Sequence, residues 1–137
     1  MVLKHSKWVT LKEIEGKISP HDDYVRRGLE SRKEALEYVD DVAKLAEYIG
    51  GAVEKLGMGE DWAIKKEVFP EVEIFFLYRR ADEEFPSNFR ALYSGNKITK
   101  MSGDDLAGIT IAFANHMLRY VVETNPGKTL PKICDKV

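Results

Sequence analysis

Three carboxylates in succession, Asp82-Glu83-Glu84, follow directly after an apolar run. Crowded like charges raise the pKa of one member, the condition for acid–base work, and carboxylate oxygens suit a hard cation. Arg79-Arg80 and Arg26-Arg27 are pairs that could clamp an anion. His116 sits beside Asn115 in an apolar segment, where a neutral imidazole can act as ligand or proton relay. His21 is followed by Asp22 and Asp23, and His5 lies near the start of the chain. The candidates for binding a ligand or partner are therefore Asp82, Glu83, Glu84, His116 and Arg79.

Each has a plainer reading. Consecutive side chains of an extended segment point to opposite faces, so Asp82 and Glu84 converge while Glu83 diverges. Two carboxylates fall short of the roughly six to eight oxygens that calcium takes, so no metal site and no cofactor is assigned. A single histidine on an apolar helix is ordinarily a packed residue. His21-Asp22-Asp23 reads first as a helix start, since sequence neighbours diverge, and the arginine pairs have acids nearby. No HExxH, phosphate-binding glycine loop or GxSxG motif occurs, and Cys134 has no base beside it to activate its thiol. In Phe85-Pro86, proline fixes its own φ and holds the phenylalanine extended, which predicts two structural residues with the ring plugging the sheet edge. No catalytic residue is assigned.

The elements that must carry these groups follow from periodicity. Val72, Ile74, Phe76 and Tyr78 alternate, and Phe75 and Leu77 make the run apolar on both faces, which predicts an inner strand. Trp62, Ile64 and Val68 predict a strand before it, ended by Phe69-Pro70. Ala91-Leu92-Tyr93 and Lys97-Ile98-Thr99 flank Ser94-Gly95-Asn96 and predict a short hairpin. Ser31 followed by Glu34 is a capping-box pattern, predicting one long helix that ends at Gly50-Gly51. Pro20 to Arg27 predicts a short helical segment interrupted by Gly28. Ser102, with Asp104 and Asp105 behind it, caps a last helix that is apolar nearly all round through Val122 and stops at Asn125-Pro126-Gly127. That helix is expected in the core or at a subunit interface. The expected class is α+β, two long helices packed on a small, mainly antiparallel sheet.

Composition sets the outer limits. The 137 residues correspond to one domain, with 1–7 and 128–137 as loose ends. Hydrophobic residues make up 44% and charged residues 32%, which excludes wholesale disorder. A net charge of −2 provides no field for phosphate backbones or anionic lipid, so nucleic acid and membrane are not expected partners. The amino-terminal residues lack the apolar core of a secretory signal, and the most apolar stretch contains His116 and Arg119, which points to a cytoplasmic location.

Gly50-Gly51, Gly59-Glu60-Asp61, Val68-Phe69-Pro70-Glu71-Val72, Asp82-Glu83-Glu84-Phe85-Pro86, Ala91-Leu92-Tyr93 and Asp104-Asp105-Leu106 occur in that order. The stretch from Gly50 to Tyr120 resembles the C-terminal half of a prokaryotic domain-of-unknown-function family (domain of unknown function 3786), with Asp-Glu-Glu-Phe-Pro as its signature. The resemblance implies relatives that are longer, with an additional N-terminal β-rich part, some carrying a four-cysteine iron–sulfur motif that this sequence lacks. It implies no activity. The expectation is a non-catalytic domain that binds a protein partner or a small ligand, with homo-oligomerisation through the 103–122 helix. The competing expectation is an enzyme or cofactor-binding protein that uses Asp82 to Glu84 with a histidine.

Overall fold

The run Val72 to Tyr78 is an inner strand of a four-stranded antiparallel sheet in the computed structural model, which describes residues 8–16 and 18–137. The strands are β1 (Ala52–Val53), β2 (Trp62–Phe69), β3 (Val72–Arg79) and β4 (Asn88–Ser94), side by side in chain order. Ile64 stands opposite Phe76, and Phe76 opposite Ala91. Proline cannot donate to a ladder, so β2 ends where expected, and Glu71 takes φ 63° in the turn to β3. One sheet face carries Ile64, Ile74, Phe76, Tyr78, Phe89 and Tyr93 into the main core. The other buries Ala63, Phe75, Leu77 and Leu92, with Trp8 and Leu56 packed over them.

The helices are α1 (Leu11–Glu15), α2 (Pro20–Glu30), α3 (Val42–Ile49) and α4 (Gly103–Thr124). α4 begins as expected: the Ser102 hydroxyl accepts from the Asp105 N–H. Its apolar surface faces this chain's own core, with Leu106, Ala114, Met117, Leu118 and Val121 almost fully buried. Buried polar groups along it are satisfied locally, since the Thr110 hydroxyl donates to the Leu106 carbonyl and lies 2.7 Å from the Tyr93 hydroxyl. α+β with an antiparallel sheet is the observed class.

Four expected boundaries are corrected. The long helix from Ser31 to Gly50 is divided into a 3-10 segment, Lys33–Tyr38, and α3. Ser31 does not cap it; its hydroxyl donates back to the Gly28 carbonyl at the end of α2, and Asp41 caps α3 by accepting from the Lys44 N–H. α2 does not stop before Gly28 but runs through it. A Cβ there would stand 2.6 Å from Ile111 Cδ1, so the glycine lets α2 pass close over α4. The second arm of the expected hairpin, Lys97 to Thr99, is a 3-10 turn over Ile98–Lys100. Gly95 takes φ 117° against the Glu71 backbone and directs the chain away from the sheet. The segment expected to be loose at 128–137 contains a 3-10 helix over Lys132–Lys136 with Cys134 buried, while residues 1–7 lie outside the described residues.

The loop that covers the second sheet face is organised by one carboxylate. Glu60, 6% exposed, accepts from the backbone N–H groups of Leu56, Gly57 (3.2 Å) and Met58 (2.7 Å). Burial raises the Glu60 carboxyl, but the amides of Leu56, Met58 and Gly57 outweigh it and leave it below its usual value of 4.5. A depressed folded-state value makes this contribution complete above about pH 4.5 and lost as pH falls through the lowered value. We expect Glu60→Gln to weaken the fold at pH 7 and to flatten the acid branch of the stability curve in urea titrations. An unchanged acid branch contradicts this role.

Candidate functional site

The Asp82–Glu84 run forms a tight, self-contained turn between β3 and β4. Asp82 Oδ1 accepts from the N–H of Glu84 and of Phe85, both at 2.8 Å, and the Asp82 N–H donates to the Phe85 carbonyl at 2.9 Å. Hydrogen bonds from the Phe85 and Glu84 amides hold the Asp82 carboxyl below the usual range. One of the three acids is thereby committed to the backbone, and Glu83 and Glu84 stand exposed. The expectation that Phe85 plugs the sheet edge is corrected, for the residue is 57% exposed. Arg79 reaches out instead: its guanidinium lies 5.6 Å from the Phe85 ring centroid and donates to the Pro86 carbonyl at 3.2 Å. Pro86 is likewise exposed and serves as the fixed stop of the turn.

Neither described histidine joins these acids. His116 packs its ring on Tyr48, 4.7 Å between centroids, with Nδ1 3.4 Å from Arg119. His21 finds a carboxylate six residues upstream rather than beside it: Nδ1 lies 2.6 Å from Glu15 Oε2, and Nε2 lies 3.7 Å from Asp104. The other Glu15 oxygen accepts from the Ser19 hydroxyl, which also caps α2 by accepting from the Asp22 N–H. A Cβ on Gly103 would collide with this carboxylate, so Glu15 is seated at the first residue of α4. The Ser19 hydrogen bond, opposed by burial and aided by His21, keeps Glu15 below its ordinary value. The carboxylate is the hub, with Ser19 and His21 on opposite oxygens, so the histidine is not placed to take the Ser19 proton. The cluster ties α1, α2 and α4 together. Among the described residues, no group of three or more His, Cys, Asp or Glu side chains is placed to hold a metal ion.

The Asp82–Glu84 turn borders a shallow hollow lined by its three acids alone, and a separate concavity lies elsewhere. A cleft of about 590 Å³ opens between α2, α4 and the C-terminal 3-10 segment. Among its charged lining residues is Arg32, which is half-buried. Arg32 Nε donates to Asn115 Oδ1 at 2.9 Å, and Nη1 donates to the Gly28 carbonyl at 2.7 Å and to the Ser31 hydroxyl at 3.2 Å. Nη2 has no hydrogen-bond partner, and the guanidinium no carboxylate, among the described residues. Burial lowers the Arg32 pKa, yet a guanidinium stays cationic at neutral pH. Arg27 and Lys136 stand at the rim, and the single lining carboxylate, Asp23, is paired with Arg27 at 3.0 Å. Three cations against one carboxylate leave the cleft electropositive on a chain that is net negative.

Arg32 escaped the sequence reading because no arginine neighbour marks it. The available signal was spacing: Gly28 and Arg32 are four apart, one helical turn, and reading Gly28 as an interruption hid their shared face. Of the two arginine pairs that were legible, Arg26 and Arg27 are held by Asp22 and Asp23.

With its ring outside the core, Phe85→Ala should cost under about 1 kcal/mol, against about 3 to 5 for a buried phenylalanine. Chemical denaturation checks this, and a loss above about 3 kcal/mol contradicts the exposed placement.

No helix among the described residues is long and apolar enough to cross a membrane. No curated protein and no solved structure matches the chain. The family model described as Domain of unknown function (DUF3786) matches residues 3–116, reaching well upstream of the motifs between Gly50 and Tyr120. With most of its length covered, the chain belongs to the DUF3786 family.

Proposed function

We propose that this is a non-catalytic, cytoplasmic ligand-binding domain whose α2–α4 cleft takes a small anion on Arg32. The observation that carries the reading is a half-buried guanidinium, free of any described carboxylate, facing a cleft of about 590 Å³. That volume lies within the roughly 300 to 1,000 Å³ of small-molecule sites. An arginine removed from bulk water and left with spare donors recognises an anion more strongly than a solvated surface lysine does. Binding is favoured over catalysis because the groups suited to acid–base work, the Asp82–Glu84 turn and the two described histidines, all lie outside this cleft.

A second reading, docking of a protein partner on the turn at 83–85, is supported by the outward Phe85 ring and the two free carboxylates beside it. One titration separates the two. Adding acetate or inorganic phosphate to the ¹⁵N-labelled domain should move the amide resonances of Gly28, Ile111 and Ile133, and Arg32→Gln should abolish the movement while retaining a folded spectrum. Anions that leave these resonances still, or that act equally on Arg32→Gln, overturn the anion reading.

A further inference from the structure

The form of the cleft says more about its ligand than that it is an anion. A lone phosphate or carboxylate satisfies a guanidinium through two parallel hydrogen bonds and leaves a space of about 590 Å³ nearly empty. Beside the charged side chains of Asp23, Arg27 and Lys136, the wall carries apolar groups: Ile111 from α4, Ile133 from the C-terminal segment, and Pro20 and the Tyr24 ring from the first turns of α2. Tyr24 is 56% exposed, a large aromatic surface with no described hydrogen bond for its hydroxyl. The acid-binding group stands at one end of this wall, because Arg32 is tied to the Gly28 carbonyl and to Asn115. At Gly28 the Ile111 side chain takes the space that a Cβ would occupy, which brings its methyl groups to the floor of the cleft.

Resting on the anion reading, we propose that the cleft is built for an amphipathic organic acid, a planar or aromatic body carrying one acidic group. The acid lies on Arg32 and the body lies between Ile111, Ile133 and the Tyr24 ring. Lys136 and Arg27 at the mouth favour the same sign of charge without fixing its position, Arg27 being already held by Asp23. Burial of the body supplies affinity and the guanidinium supplies orientation, the division of labour found in small-molecule sites generally.

Calorimetric titration of the intact chain with 2-naphthoate, acetate and 2-naphthylmethanol separates head from body. The 2-naphthoate should bind at least about ten-fold more tightly than either fragment, equivalent to about 1.4 kcal/mol. Tyr24→Ala, which removes only an exposed ring, should weaken 2-naphthoate about ten-fold and leave acetate unchanged. Arg32→Gln, checked for folding by circular dichroism, should reduce 2-naphthoate to the affinity of the neutral alcohol. Equal affinities for acetate and 2-naphthoate overturn the amphipathic class and leave the anion reading standing. The alcohol binding as tightly as the acid overturns both, as does no binding by either anion.

Discussion

The passage of α2 over α4 at Gly28 is the contact on which the rest of the molecule's arrangement turns. With no Cβ at Gly28, Ile111 can fill the crossing, and the helices approach more closely than side chains at both positions permit. The same approach leaves the Gly28 carbonyl within reach of Arg32 and sets Asn115 on α4 opposite its Nε. The Glu15 carboxylate works at the other end of α2, joining Ser19 and His21 to the start of α4. One helix is thus fixed at two points to another whose interior face is committed to the core, and the cleft opens beside their crossing at Gly28 and Ile111.

A half-buried cation without a counter-ion is costly, and hydrogen bonds to a carbonyl and an amide offset only part of the lost hydration. Proteins retain such groups where the charge has a use. Here the one lining carboxylate, Asp23, is taken by Arg27, so nothing acidic in the lining is left to offset the burial of Arg32. An anion in the cleft would supply that counter-charge. The Asp82–Phe85 turn shows the opposite economy, with its first carboxylate satisfied by two backbone amides and its exposed ring faced by Arg79.

How much of this was legible depended on whether a feature was local. Strand β3, the proline that ends β2 and the Ser102 cap of α4 are properties of short segments, and each stands where alternation, proline and capping place it. The helix expected from Ser31 failed because a capping-box spacing says nothing about the competing bond that Ser31 makes to Gly28. Phe85 was misplaced because burial is decided by tertiary packing, and proline fixes only backbone angles. The grouping of Glu15, Ser19 and His21 was not read as a unit, since the nearer acids Asp22 and Asp23 offered themselves first. Arg32 could be found only once α2 was known to continue through Gly28, and Ile133 and Lys136 only once the C-terminal segment was seen to fold.

Membership of the DUF3786 family supplies a lineage, and the proposed anion binding rests on Arg32. A crystal structure of the domain grown with 2-naphthoate tests that claim most directly. The account predicts the carboxylate at about 3 Å from the Arg32 guanidinium, with the rings against Ile111 and Ile133. A bound carboxylate on Lys136 or Arg27 alone, with Arg32 still bonded only to Gly28, Ser31 and Asn115, would contradict it.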